Sequence, residues 1–152
     1  LDGTMYDYRI LLQNVSLSGS AAILHALIGH GATPDYYTGG YFRHAYQYLH
    51  NTAGGFATVP TGASCYLSGN LNVPPESYLS GHMDVVSFGA SSDIIRCESN
   101  LTFYYNASCK YEWIKTVTTR PDCYPLTAIK ILRGGTVATI ATGKYKIYRR
   151  PR

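Results

Sequence analysis

Charge is scarce in this sequence. Of its 152 residues only 14% are Asp, Glu, Lys or Arg, where an average soluble protein carries about 25%. No apolar run is long enough for a membrane-spanning helix, so no membrane span of that kind is expected. The cysteines Cys65, Cys97, Cys109 and Cys123 contain no C-x2-C pair and no His follows His82. The clustered ligand spacing of a structural zinc site is therefore missing, and neither a metal nor a cofactor is expected. An initiator Met and a signal peptide are also lacking, which fits a processed chain starting at Leu1.

What is present is a core-forming 45% of hydrophobic residues. At this length one domain over 1–152 is expected, burying roughly two-thirds of its unfolded surface. Tyrosine, at 15 residues, far outnumbers the 4 Phe and single Trp. Low charge with abundant Tyr, Thr, Ser and Gly is the composition of extracellular β-rich proteins. The net charge of +4 hides an asymmetry. Residues 1–109 hold three basic and seven acidic side chains, whereas 110–152 hold ten basic and two acidic, Glu112 and Asp122. The cations are spread through apparent strands and do not form one block. That argues against nucleic acid and for a solvated basic face, with Lys144, Lys146 and Arg149 as candidates for meeting a protein or an anionic glycan at a cell surface.

An even number of cysteines without metal or redox spacing reads as two disulfides, and so as an oxidising compartment. Three connectivities are open; Cys65–Cys97 with Cys109–Cys123 links apparent neighbouring elements and is preferred. Three triplets, at Asn14, Asn100 and Asn106, fit the N-glycosylation acceptor. From Asn100 to Cys109 the residues alternate, with Leu101, Phe103, Tyr105, Ala107 and Cys109 on one parity and both asparagines on the other. A strand turns alternate residues to opposite faces, so this segment predicts outward asparagines and an inward cysteine.

Along the chain, 6–13 predicts a strand. Residues 21–28 are apolar all round, with Ser18 or Ser20 to cap and Gly29 to stop, and predict a buried helix. Phe42, Ala45 and Leu49 form a stripe that predicts a second helix over 41–50. Short β-like runs follow at 56–59 and 63–67, then a Gly-, Asn- and Pro-rich loop over 68–81. Runs 85–88 and 93–97 flank a hairpin turn, and strands are expected at 100–105 and 111–118. Gly134-Gly135 between 128–133 and 136–142 is a two-residue hairpin link, extended by 144–148. The expected fold class is α+β, a helical N-terminal third packed on a mainly antiparallel sheet.

Candidate chemistry is thin. His25 and His30 stand five apart, whereas a zinc-protease helix needs a spacing of four and a Glu as general base. No Gly-x-Ser-x-Gly elbow is present. A site dispersed over Arg9, His30, Tyr37 and Glu76 is the enzymatic alternative. Tyr36, Tyr37 and Tyr41, with Gly39 and Gly40 between them, make the best local recognition loop, because tyrosine offers a flat apolar face with a polar tip; covering a small core is their other use. The last residues, Arg149-Arg150-Pro151-Arg152, resemble the Arg-X-X-Arg recognition sequence of furin-like and Kex2-like proteases, which implies one product of a longer secretory precursor, such as a viral surface glycoprotein or a processed toxin. The expected function is binding by an extracellular, secreted glycoprotein domain, with a subunit of an extracellular filament or coat (a homo-oligomer) and a secreted toxin or enzyme as alternatives.

Overall fold

The computed structural model describes residues 1–2, 5–17, 22–33, 35–37, 42–50, 53–62, 64–68, 72–73, 77–87, 93–105, 110–123, 126–133, 136–137 and 140–152. Among these, every regular element is a strand: β1 (Tyr6–Leu17), β2 (Ala22–His30), β3 (Asp35–Tyr36), β4 (Phe42–His50), β5 (Ala53–Gly62), β6 (Cys65–Tyr66), β7 (Asn72–Val73), β8 (Ser77–Ser87), β9 (Asp93–Tyr105), β10 (Lys110–Cys123), β11 (Leu126–Arg133), β12 (Thr136–Val137) and β13 (Ile140–Pro151). The expected helical N-terminal third is thus overturned. Both segments read as helices are strands, β2 and β4, and the described chain is all-β.

The reasons differ between the two. In β2, Leu24, Ala26 and Ile28 are buried, while Ile23, His25 and Leu27 on the other face are half-covered. A short run that is apolar on both faces has the same pattern in a central strand as in a buried helix, and tertiary pairing decides between them. In β4 the alternation is plain: Phe42, His44 and Tyr46 are buried, and Arg43, Gln47 and Leu49 are exposed. Its aromatic residues favour a pleated, half-buried surface over a helix.

The strands form two antiparallel sheets. The larger has the order β13-β1-β8-β9-β10-β4-β5. In the smaller, β12-β11-β2 is continued on the far side of β2 by three two-residue pieces: β7 at Ala22–Ile23, β6 at His25–Ala26 and β3 at Gly29–His30. The run 68–81, expected to be a loop, contains β7 and the first five residues of β8. The segment 136–142 divides: Thr136 and Val137 pair with β11 as the Gly-Gly hairpin requires, whereas Ile140 onward crosses to the large sheet beside β1.

The sheets share one core. Ile10, Leu12, Leu79, Met83, Leu101, Phe103 and Ile114 from the large sheet meet Leu24, Ala26, Ile28 and Leu126 from the small one, each sheet burying its apolar parity against the other. A crease crosses β13, β1 and β8 at one level. Asn14 takes a positive φ of 48° within a bulge of β1, flanked by Gly143 at φ 100° and Gly81 at φ 139°. A Cβ on Gly143 would stand 2.6 Å from Val15 Cα, and one on Gly81 would stand 3.0 Å from Leu101 Cα and overlap the Asn100 carbonyl. Only glycine combines that backbone with so close an approach.

Candidate functional site

Parity in the large sheet sends Tyr8, Ile10 and Leu12 of β1 into the core and turns Asp7, Arg9, Leu11 and Gln13 outward. Register then assembles what no single strand carries. Tyr148, Arg9, Asp84 and Glu98 lie directly opposite one another across β13, β1, β8 and β9. In neighbouring positions, Arg150 lies opposite Asp7 and Arg96 opposite Val86. These residues line an open groove of about 520 Å³ on the outer face.

The groove is lined by two ion pairs between strands and one within β9. Arg9 donates from Nε to Asp84 Oδ1 and from its terminal nitrogen to Oδ2, both at 2.6 Å, a bidentate fork. Arg150 donates to Asp7 Oδ2 at 3.1 Å, and Arg96 pairs with Glu98. His82 Nε2 stands 3.9 Å from the second oxygen of Asp84. The hydrogen bond from Arg9 holds the Asp84 carboxyl below the usual carboxylate range, against the desolvation that would raise it, and Asp84 in turn raises Arg9. Three guanidiniums thus pair with three carboxylates, Arg149 adds a fourth cation to the lining, and the Tyr148 ring is 48% exposed beside them.

A second polar cluster lies between the sheets. His44 is 4% exposed, shares a 2.9 Å hydrogen bond between Nδ1 and Thr118 Oγ1, and stacks on Tyr66 at 4.4 Å. His25 meets the other side of this layer, sharing a 2.9 Å hydrogen bond between Nδ1 and Ser64 Oγ and an edge contact with Tyr66. Burial pushes the His44 pKa down to about 4 and lowers that of His25, so both are neutral at pH 7. Phe42 continues the layer to Arg120, whose guanidinium lies 5.0 Å from the Phe42 ring centroid and 4.2 Å from that of Tyr37. His30 packs on Tyr37 at 4.6 Å.

The residues singled out from the sequence are therefore separated. Tyr37 is packed against the core between Arg120 and His30, and its N–H donates to Ile28 O at 3.0 Å. Tyr36 in β3 lies under the Lys130 ammonium at 4.3 Å. Tyr41 lies outside the described residues. Lys144 and Lys146 stand on β13 in the other sheet, and Arg149, on the opposite parity, sits 4.8 Å over the Tyr6 ring. The dispersed catalytic set is split likewise: Arg9 is on the outer face, His30 and Tyr37 lie between the sheets, and Glu76 lies outside the described residues. Of the groove residues, Arg9 and Arg149 were among the sequence candidates, each assigned to a different site; the acidic partners were not. Opposite charges at one parity of β1, β8 and β9 are visible in the sequence, but the register that aligns them is not.

Asn14 is exposed, and its N–H donates to Ser80 Oγ at 2.9 Å. Asn100 lies on the outer parity between buried Ser99 and Leu101 and accepts the Trp113 indole N–H on Oδ1 at 2.6 Å. Asn106 and Cys109 lie outside the described residues, as does the side chain of Cys123. Cys65 of β6 and Cys97 of β9 face each other through the core, both buried, as thiols with their sulfurs 3.2 Å apart. The chain matches no family model, no curated protein and no solved structure.

Proposed function

We propose that this chain is a secreted, N-glycosylated extracellular domain that acts by binding, and that its ligand seat is the groove across β13, β1, β8 and β9. The observation that carries the reading is the fixed lattice of Arg9–Asp84, Arg96–Glu98 and Arg150–Asp7 beside an exposed Tyr148. A hydroxyl both donates and accepts, so a sugar diol matches a site that alternates guanidinium donors with carboxylate acceptors, and the C–H face of its ring suits a tyrosine. Because the ion pairs already fix these side chains, less rotamer freedom is lost on binding. The lining carries four basic and three acidic side chains, and three of each are paired with one another, so little charge is left over and recognition of a glycan through its hydroxyls is favoured.

The extracellular setting is supported by two further features. Asn14 and Asn100 both lie on the outer face, and the contacts to their side chains use Oδ1, not the nitrogen that bears a glycan. Cys65 and Cys97 meet across the two sheets, where oxidation would staple the sandwich.

A glycan array probed with the unmodified protein and with Arg9→Ala tests the seat. Ion pairs as exposed as Arg9–Asp84 contribute roughly 0–1 kcal/mol to stability, so the variant stays folded. Binding to a defined glycan set that Arg9→Ala loses is expected; binding that survives Arg9→Ala places the ligand elsewhere and refutes the assignment.

A further inference from the structure

We infer that the open edge of β13 is a strand-addition site for an extended acidic segment of another polypeptide. The inference goes beyond the groove: it rests on the backbone edge of β13 with Lys144, Tyr145, Lys146 and Ile147, and shares only Arg149 and Arg150 with the groove lining. β13 pairs with β1 along Tyr6–Leu17 and forms an outer edge of the large sheet. Alternate N–H and C=O groups of such a strand face away from its neighbour and are left for another chain. Residues 141–152 are exposed on both parities, so the small sheet does not cover this strand.

Its two faces differ. Lys144, Lys146 and Arg150 point outward with the outer-face residues of β1, whereas Tyr145 and Ile147 lie opposite Leu12 and Ile10 and continue the core side. Tyr145 is 58% and Ile147 50% exposed, beside partners that are 7% exposed. The apolar layer of β1 therefore runs on into β13 and stops there uncovered. A further strand would extend it, with apolar residues at one parity beside Tyr145 and Ile147 and acidic residues at the other beside the lysines.

The other long edge lacks the charge for this use: β5 carries no Lys or Arg. The edges at β12 and β3 are two residues long among the described residues. Lysines on an edge also deter pairing, but their charge is selective: with Arg149, Arg150 and Arg152 they give 140–152 five cations and no acid. A second copy of β13 is repelled and an acidic strand is attracted.

The test is fluorescence anisotropy of the full chain with three short labelled peptides: Glu alternating with Val, Lys alternating with Val, and the Glu/Val composition in two blocks. Backbone hydrogen exchange over 140–151 is followed in parallel. The alternating acidic peptide is expected to bind at least roughly tenfold tighter than the blocked one and to slow exchange in β13. Lys144→Glu with Lys146→Glu, both outside the groove, is expected to transfer the preference to the Lys/Val peptide. Equal binding of alternating and blocked acidic peptides would mean plain polyanion attraction and would overturn the inference, as would protection elsewhere or no binding. Dimerisation with β13 amides protected would assign the edge to a second copy and overturn it too. The peptide comparison uses the unmodified protein, so it stands even if the charge-reversed variant fails to fold.

Discussion

Acidification is predicted to destabilise this fold through His44. His44 is buried between the sheets, stacked on Tyr66 and joined through Nδ1 to Thr118, while its Nε2 has no hydrogen-bond partner among the described residues. Its pKa falls from 6.5 to about 4 in the folded protein. Between those values the unfolded chain binds a proton that the folded one does not, so stability rises with pH across this window. The contribution is complete above about pH 6.5 and is lost as the pH falls towards 4. A separation of this size is worth about 3 kcal/mol, which for a domain of this length is roughly 6–12 °C in Tm. His25, lowered for the same reason, acts with the same sign. The assay is urea denaturation at pH 7.5, 5.5 and 4.5 of the unmodified protein and of His44→Phe, which keeps a ring on Tyr66 and removes the titration. The variant is expected to be less stable at pH 7.5, having lost the bond to Thr118, but to fall less steeply with acid. Parallel pH profiles for the two proteins would refute the reasoning.

Other consequences are open to measurement. Gly81→Ala and Gly143→Ala force a side chain into a positive-φ backbone and against the neighbouring strand. Each is expected to cost about 1–3 kcal/mol, read as a lowered urea midpoint, whereas a midpoint unchanged at Gly81 would remove the crease. Oxidising conditions are expected to join Cys65 to Cys97, closing a loop of 32 residues and adding about 3–4 kcal/mol by loop-closure entropy; peptide mapping without reductant identifies the link, and denaturation with and without reductant gives its worth. Expressed through a eukaryotic secretory pathway, the protein is expected to lose mass on enzymatic deglycosylation, and Asn100→Gln to remove one glycan. No mass change in the unmodified protein would contradict glycosylation.

How far the sequence foretold this fold depended on whether the deciding contact was local. β1, the strand from Asn100 and the antiparallel pairing of β11 with β12 were legible because alternation and turn chemistry are written in adjacent residues. Leu101 and Phe103 are buried and Thr102 and Tyr104 exposed, as that alternation requires. β2 was not legible: its apolar character on both faces comes from lying between β11 and the pieces β3, β6 and β7 in a packed sheet, a tertiary fact. β4 was more readable than the helical stripe through Phe42, Ala45 and Leu49 allowed, because Phe42, His44, Tyr46 and Tyr48 already repeat every second residue. Cys65 and Cys97, one of the two expected pairs, stand 3.2 Å apart as thiols, and Cys109 and the side chain of Cys123 lie outside the described residues. The groove was the least legible part, since Tyr148, Arg9, Asp84 and Glu98 come from four strands and meet only through register.

The central claim, that the chain binds a ligand on the outer face of its large sheet, is tested most directly by hydrogen exchange with and without a glycan selected from the array. Binding in the groove predicts slowed exchange centred on β1, β8 and β9 around Arg9, Asp84 and Glu98, lost together with binding in Arg9→Ala. Protection centred instead on β3 and the residues about Tyr37 would contradict the account and move the site to the small sheet.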